Sequence, residues 1–206
     1  MRKYCVIGII AVIAVLIFFA AWRSAHKSRN IYFNQNASPN MIITSPSFQN
    51  NGYIPQKFTC EGENISPELR VQNVPENAKS LALIIDDPDA PAGTFTHWTV
   101  WNIDPKITAI KENSVPPGLP ADLSAEVLTT TEASIKAGAV EGRTDFGKTG
   151  YGGPCPPSGK PHRYFFKLYA LAAMLNLKAG ADKAELEAEI QKHLIAKAEL
   201  VGLYHR

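Results

Sequence analysis

Leu81-Ala82-Leu83-Ile84-Ile85, running into Asp86-Asp87-Pro88-Asp89-Ala90-Pro91 with His97-Trp98 close behind, is the stretch on which the fold turns. The short apolar run reads as a buried strand. The Pro-rich turn after it stops the strand and presents carboxylates at its end, which is how a stiff sheet carries polar groups into a site. A second stretch has the same construction in reverse order. Gly150-Tyr151-Gly152-Gly153-Pro154-Cys155-Pro156-Pro157 is a rigid turn, and His162-Arg163-Tyr164 leads from it into the apolar run Tyr164-Phe165-Phe166-Lys167-Leu168-Tyr169. Read together, the two stretches are expected to form one ligand pocket.

Working outward, Met41-Ile42-Ile43, Leu81 to Ile85, Trp98 to Ile103 and Tyr164 to Leu171 are short, rich in β-branched or aromatic residues, and bounded by Pro, Gly, Asn or Asp. They are expected as strands, so the fold class is mainly β. A helix is expected near the C-terminus. Asp182 and Glu185 have capping-box spacing, and Leu186, Ile190, Leu194 and Val201 step at helical intervals to give one apolar stripe. His193 lies beside that stripe and reads as a half-buried edge histidine. A further helix around Ala125 to Lys136 is weakly supported, because Thr129, Thr130 and Thr131 are poor helix formers.

The 206 residues, 45% hydrophobic and 19% charged, suffice for one well-buried domain. A net charge of +2 without a long basic run excludes the electrostatic footprint of a nucleic-acid binder. Cys5 to Trp22 carries no charged residue and is flanked by Arg2-Lys3 and Arg23. Its length approaches the roughly 20 residues that span a bilayer. Residues 1–23 are therefore expected to be a membrane anchor or a signal segment. Anchoring is favoured because Phe18, Phe19 and Arg23 stand where a cleavage site would place small residues. Residues 24–40 read as a polar linker and 41–206 as the folded domain. The domain is expected on the extracytoplasmic (periplasmic) side, with secretion to the periplasm after cleavage as the alternative.

Asp87 directly follows an apolar strand, where a carboxylate must find a donor. His97 and His162 are the natural donors, and a carboxylate would fix an imidazole's tautomer and favour its charged form, leaving an N–H to face an anion. Tyr151 and Tyr164 could add phenol donors, and Gly152-Gly153 would let backbone approach a ligand. Asp89 reads as satisfying turn amides.

The segments Asp-Pro-Asp-Ala-Pro with His97-Trp98, Gly-Tyr-Gly-Gly-Pro-Cys-Pro-Pro and His162-Arg163-Tyr164 resemble the phosphatidylethanolamine-binding protein family, in its bacterial Raf kinase inhibitor-like branch. Phe58 to Pro67 and Gly142 to Gly147 resemble that branch too, and the similarity spans about Ile42 to Tyr204. The resemblance implies a β-sandwich with a large central antiparallel sheet, a smaller sheet and a C-terminal helix. It implies a pocket for phosphate, carboxylate or a phospholipid head group, with Asp87, His97, His162, Tyr164, Gly153 and Pro154 matching pocket positions and Tyr204 a loosely spaced further one. It also implies a cis peptide at Ala90-Pro91. Two departures stand out: Val71 where the branch commonly has tryptophan, and a longer stretch from Ala121 to Ala137. Cys60 and Cys155 both lie in loops that the resemblance places around the pocket, as a disulfide or as two packed thiols.

Three functions follow as expectations. The first is a binding module that inhibits a kinase or protease. The second is a hydrolase using Asp87, His97 and His162 as metal ligands or acid–base groups. The third is a membrane-tethered binder of lipid head groups. No cofactor is expected, and no nucleophile stands beside a base.

Overall fold

The computed structural model describes residues 40–114 and 139–206. Its strands are β1 (Ile42–Thr44), β2 (Gly52–Tyr53), β3 (Leu69–Gln72), β4 (Ser80–Asp87), β5 (Phe95–Ile103), β6 (Ala109–Ile110), β7 (Val140–Glu141), β8 (His162–Leu171) and β9 (Leu194–Tyr204), with one α-helix, α1 (Lys183–His193). A three-stranded sheet has the order β1-β3-β6, and a six-stranded sheet the order β2-β9-β8-β4-β5-β7. All pairings are antiparallel except β2 with β9.

β4 is buried at every position because it lies mid-sheet with both faces covered. Leu81, Leu83 and Ile85 face the smaller sheet, packing in one core with Ile43, Leu69, Val71 and Ile110. Ala82 and Ile84 face the other way, against Leu186 and Ile190 of α1. The architecture is thus two packed sheets with one helix near the C-terminus on the outer face. Val71 sits in the inter-sheet core at 3% exposure.

The helix begins as its sequence promises: Asp182 accepts from the Glu185 amide, and the Glu185 side chain accepts from the Asp182 amide. It ends sooner than the stripe implies. Leu194 and Val201 belong to β9, which pairs along its length with β8. Ala198, Leu200, Gly202 and Tyr204 are buried at every second position, so a period of two, selected by that pairing, overrides the local helical spacing. His193, the helix's last residue, is half-buried. No cis peptide occurs among the described residues, so the expected cis Ala90-Pro91 bond is trans. The anchor segment, most of the linker, the weak helix over Ala125 to Lys136 and the long stretch from Ala121 to Ala137 lie outside the described residues.

Candidate functional site

The register of the large sheet collects the polar residues on one face at one end. Asp87, the last residue of β4, pairs with Phe95 of β5, and Asp86 pairs with Phe165 of β8, which sets Tyr164 beside Asp87. His162 pairs with Tyr204, and Tyr164 with Gly202. By strand alternation Asp87, Phe95, His162, Tyr164 and Tyr204 share the inner face.

His97 arrives there by a β-bulge. Thr96 pairs with Asp86 and Trp98 with Ile85, so His97 is the extra residue. A bulge re-aims a side chain, and it lets His97 reach Tyr164 while Trp98 remains in the inter-sheet core. The ring centroids of His97 and Tyr164 are 5.2 Å apart.

Hydrogen bonds fix both imidazoles. His162 Nδ1 lies 2.8 Å from Asp87 Oδ2, and His97 Nδ1 lies 2.7 Å from the Gly152 carbonyl oxygen. A carboxylate and a carbonyl accept, so Nδ1–H donates in each ring and Nε2 is left as the atom offered to a ligand. Asp87 is itself held, because its Oδ1 accepts from the Asp89 amide at 2.8 Å. Burial pushes His97 below the usual imidazole pKa, an effect that the Gly152 carbonyl and the Asp87 charge oppose. The Tyr164 hydroxyl is buried beside the Asp87 carboxylate and makes no well-formed hydrogen bond among the described residues. Burial, and then the nearby Asp87 charge, push its phenol up.

The remaining expected residues are placed differently. The Tyr151 hydroxyl donates to the Phe58 carbonyl at 2.8 Å, and burial alone pushes that phenol up. The Gly153 amide donates to Asn64 Oδ1 at 2.7 Å, and the Pro154 carbonyl accepts from the Cys60 amide at 3.1 Å. A Cβ on Gly153 would come within 2.3 Å of the Phe58 carbonyl oxygen, so glycine here admits the neighbouring loop. Tyr204 donates to Glu61. Cys60 and Cys155 form a disulfide with Cα atoms 5.4 Å apart, on exposed positions of those two loops. Tyr151, Gly153, Pro154 and Cys155 are therefore stitched to the loop over Phe58 to Asn64.

Asp89 also needs correction. It takes no turn amide; Asp87 does that. Asp89 Oδ2 accepts from both the amide and Nε of Arg163 at 2.9 and 2.8 Å, and Oδ1 accepts from the guanidinium at 2.7 Å. Arg163 holds the Asp89 carboxyl down at about 2. This fork ties the turn after β4 to the start of β8, beside His162.

Two aromatic residues escaped the sequence reading. Phe95 and Phe146 stand edge-to-face at 4.9 Å, and Phe146 lies 5.4 Å from His97. Phe95 precedes His97 by two residues, while nothing in the local sequence marks Phe146 as a neighbour of either. On the opposite face of the sheet, buried Asp86 meets Lys167 at 2.8 Å and Lys183 at 2.6 Å. A cleft of about 590 Å³ lined by Thr96, Arg143, Asp145 and Lys183 opens on that side too.

Chemically, the inner-face cluster can accept or donate at two Nε2 atoms and one phenol. Among the described residues no group of three His, Cys, Asp or Glu side chains is placed to hold a metal ion. Both Asp87 oxygens already accept, from His162 and from the Asp89 amide, so Asp87 is disposed as a holder of His162.

The family model described as phosphatidylethanolamine-binding protein matches residues 44–205. A UPF0098 protein of Pyrococcus abyssi is 47% identical over 167 residues, covering 81% of this chain and 86% of the relative. One from Methanothermobacter thermautotrophicus is 45% identical over 166 residues, covering 81% and 99%. Among solved structures, a phosphatidylethanolamine-binding protein homologue of Chlamydia trachomatis is 35% identical with a TM-score of 0.67, over 81% of this chain and 98% of the other. E. coli YbcL, described as a member of the mammalian family, is 32% identical with a TM-score of 0.70, over 82% and 99%. Two packed sheets with one helix near the C-terminus and these matches agree: the chain belongs to the phosphatidylethanolamine-binding protein family.

Proposed function

We propose that the protein is a receptor for a small anionic group, namely phosphate, a carboxylate or a phospholipid head group, bound at His97, His162 and Tyr164. One observation carries this reading. Two imidazoles, each with Nδ1 fixed by an acceptor, stand on one sheet face with a buried phenol that lies beside the Asp87 carboxylate and makes no well-formed hydrogen bond. A buried hydroxyl without a well-formed hydrogen bond is costly, and a bound oxyanion would satisfy it while accepting from any Nε2 that carries a proton. The Asp89–Arg163 fork and the stitched loops hold these groups in place before a ligand arrives, which lowers the ordering cost of binding.

The reading extends to setting and partner. Exposed Cys60 and Cys155 joined in a disulfide support a location outside the cytoplasm, where such bridges persist. The apolar segment from Cys5 to Trp22 supports a membrane-tethered receptor there. Inhibition of a kinase or protease would be a consequence of loops around an occupied pocket engaging a protein partner.

The test is calorimetric titration of the full chain with phosphate, phosphoethanolamine and acetate, alongside His162→Ala. The variant should remain folded and lose about 1.5–3 kcal/mol of anion affinity, as expected for a lost hydrogen bond to a charged group. Unchanged affinity in a folded H162A protein would remove His162 from the receptor.

A further inference from the structure

The bulge that turns His97 inward is fastened along the edge of β5 that faces away from β4. β7 pairs with that edge at Val100 and Trp101. Nearer the site, two loop residues take up its backbone groups instead. The Thr96 carbonyl accepts from the Asp145 amide at 3.1 Å, and the His97 carbonyl accepts from the Gly152 amide at 3.0 Å. Successive carbonyls of a regular strand point to opposite edges, so two in a row on one edge mark the extra residue. The Thr96 amide donates to Asp145 Oδ2 at 2.6 Å. Asp145 thus holds both backbone groups of the residue where the bulge begins, one with its own amide and one with its carboxylate. Thr96 is 3% exposed, so its amide has little access to water and needs that acceptor. The loop that carries the carboxylate has bonds of its own. Gly147 donates its amide to the Thr144 carbonyl at 2.9 Å, and the Lys148 carbonyl accepts from the Thr144 amide and hydroxyl at 2.9 and 2.7 Å.

We infer that Asp145 is a positioning residue for His97: its carboxylate locks the bulge, and the bulge sets where the His97 ring and its Nε2 stand. Trp98 is held inward by the inter-sheet core. Counted back from Trp98, regular alternation would put His97 on the outer face, so the ring reaches Tyr164 only while the bulge persists. Removing the carboxylate strands the Thr96 amide and takes away the bond that holds the bulge at this residue, while the loop around Thr144 keeps its shape. The effect on anion affinity rests on the receptor reading above; the effect on the His97 ring does not.

The experiment uses the full chain as wild type, Asp145→Ala and Asp145→Asn, with D145A also placed in His97→Ala and His162→Ala backgrounds. Nitrogen-edited NMR of the histidine rings without ligand reads the His97 tautomer. Wild type should show a single Nδ1-protonated form, D145A a mixture or a displaced ring signal, and D145N, which keeps an acceptor for Thr96, the wild-type pattern. Titration with inorganic phosphate reads the consequence. D145A should weaken binding about three- to tenfold, and D145N by less than about twofold. The D145A loss should vanish in the H97A background and persist in the H162A background, because it acts through His97 alone. An equal loss in both backgrounds would mean that the whole site loosens, and the inference is overturned. An unchanged His97 ring in folded D145A overturns it too, as does a D145N protein as impaired as D145A, which would assign the effect to charge. Should D145A not fold, Asp145→Glu, which moves the carboxylate by one methylene, carries the same comparison. If wild type binds no phosphate while D145A disturbs the His97 ring, the receptor reading falls and the positioning role stands.

Discussion

His97 is the residue at which the chemistry of the site is decided, because its fixed Nδ1–H leaves a choice at Nε2. Burial pushes its pKa down, so near neutral pH the ring is neutral and Nε2 is an acceptor. A fully ionised anion can use it only if the ring takes up a proton on binding. The sign follows directly: the free site binds protons less readily than the occupied one, so affinity rises as pH falls. It should rise by about tenfold per pH unit for one linked proton, levelling off below the free ring's pKa, which lies under the ordinary 6.5. A ligand that brings its own donor, such as a monoprotonated phosphate ester, would satisfy Nε2 without uptake. Titrations between pH 5 and 8 in buffers of different ionisation enthalpy separate the two cases. A proton uptake of zero with a flat profile would show that His97 serves as an acceptor and not as an imidazolium.

At the scale of elements, β7 and β5 carry a second titrating group that the sequence did not announce. Glu141 pairs opposite Val100 and accepts from Trp98 Nε1 at 2.6 Å, while burial pushes its carboxyl up to about 7. In the unfolded chain this carboxyl ionises near 4.5, so stability falls as pH rises from there to 7, and the penalty is complete above that. Glu141→Gln keeps an acceptor for Trp98 and cannot ionise. It should be more stable than wild type at pH 8 by about 1–2 kcal/mol, after allowance for partial exposure, and no more stable at pH 4. Urea unfolding followed by Trp fluorescence measures this, and equal gains at both pH values would locate the effect elsewhere. The elements also show where sequence was readable. β4 and β8 declare themselves because an uninterrupted apolar run between turn residues has few other uses in a mainly β chain. β9 did not: Leu194 lies in helical register with Leu186 and Ile190, and only pairing with β8 decides that α1 stops at His193. The bulge at His97 was equally hidden, since two consecutive residues aimed inward break the alternation that reveals a strand.

On the scale of the whole molecule, the frame of the candidate site depends on contacts between distant segments, which explains why the partners of its residues were not legible in the sequence. Asp87 and His162 were legible as a pair because a carboxylate at a strand end demands a donor. Tyr151 and Gly153 were named too, yet their polar atoms serve the loop over Phe58 to Asn64, a fact that only folding across about ninety residues reveals. The Cys60–Cys155 bridge, with a sequence separation of 95, joins the same two loops. Closing so long a loop restricts the unfolded chain, with an entropic ceiling of roughly 4–5 kcal/mol and a usual yield of about 2–4 kcal/mol. The folded loops, however, hold one another without it, through Cys60 to Pro154, Gly153 to Asn64 and Tyr151 to Phe58. Reduction by a dithiol, or the double substitution Cys60→Ser with Cys155→Ser, should therefore lower the free energy of unfolding by about 2–4 kcal/mol. Anion affinity of the protein that remains folded should stay within about twofold, because the groups proposed to face the ligand are positioned by hydrogen bonds that survive. Denaturant midpoints and calorimetric titration on the same reduced sample measure the two quantities separately. A fall in affinity that tracks the loss of stability would mean that the bridge positions His97 through the Gly152 loop, and that the hydrogen-bonded stitching is insufficient alone.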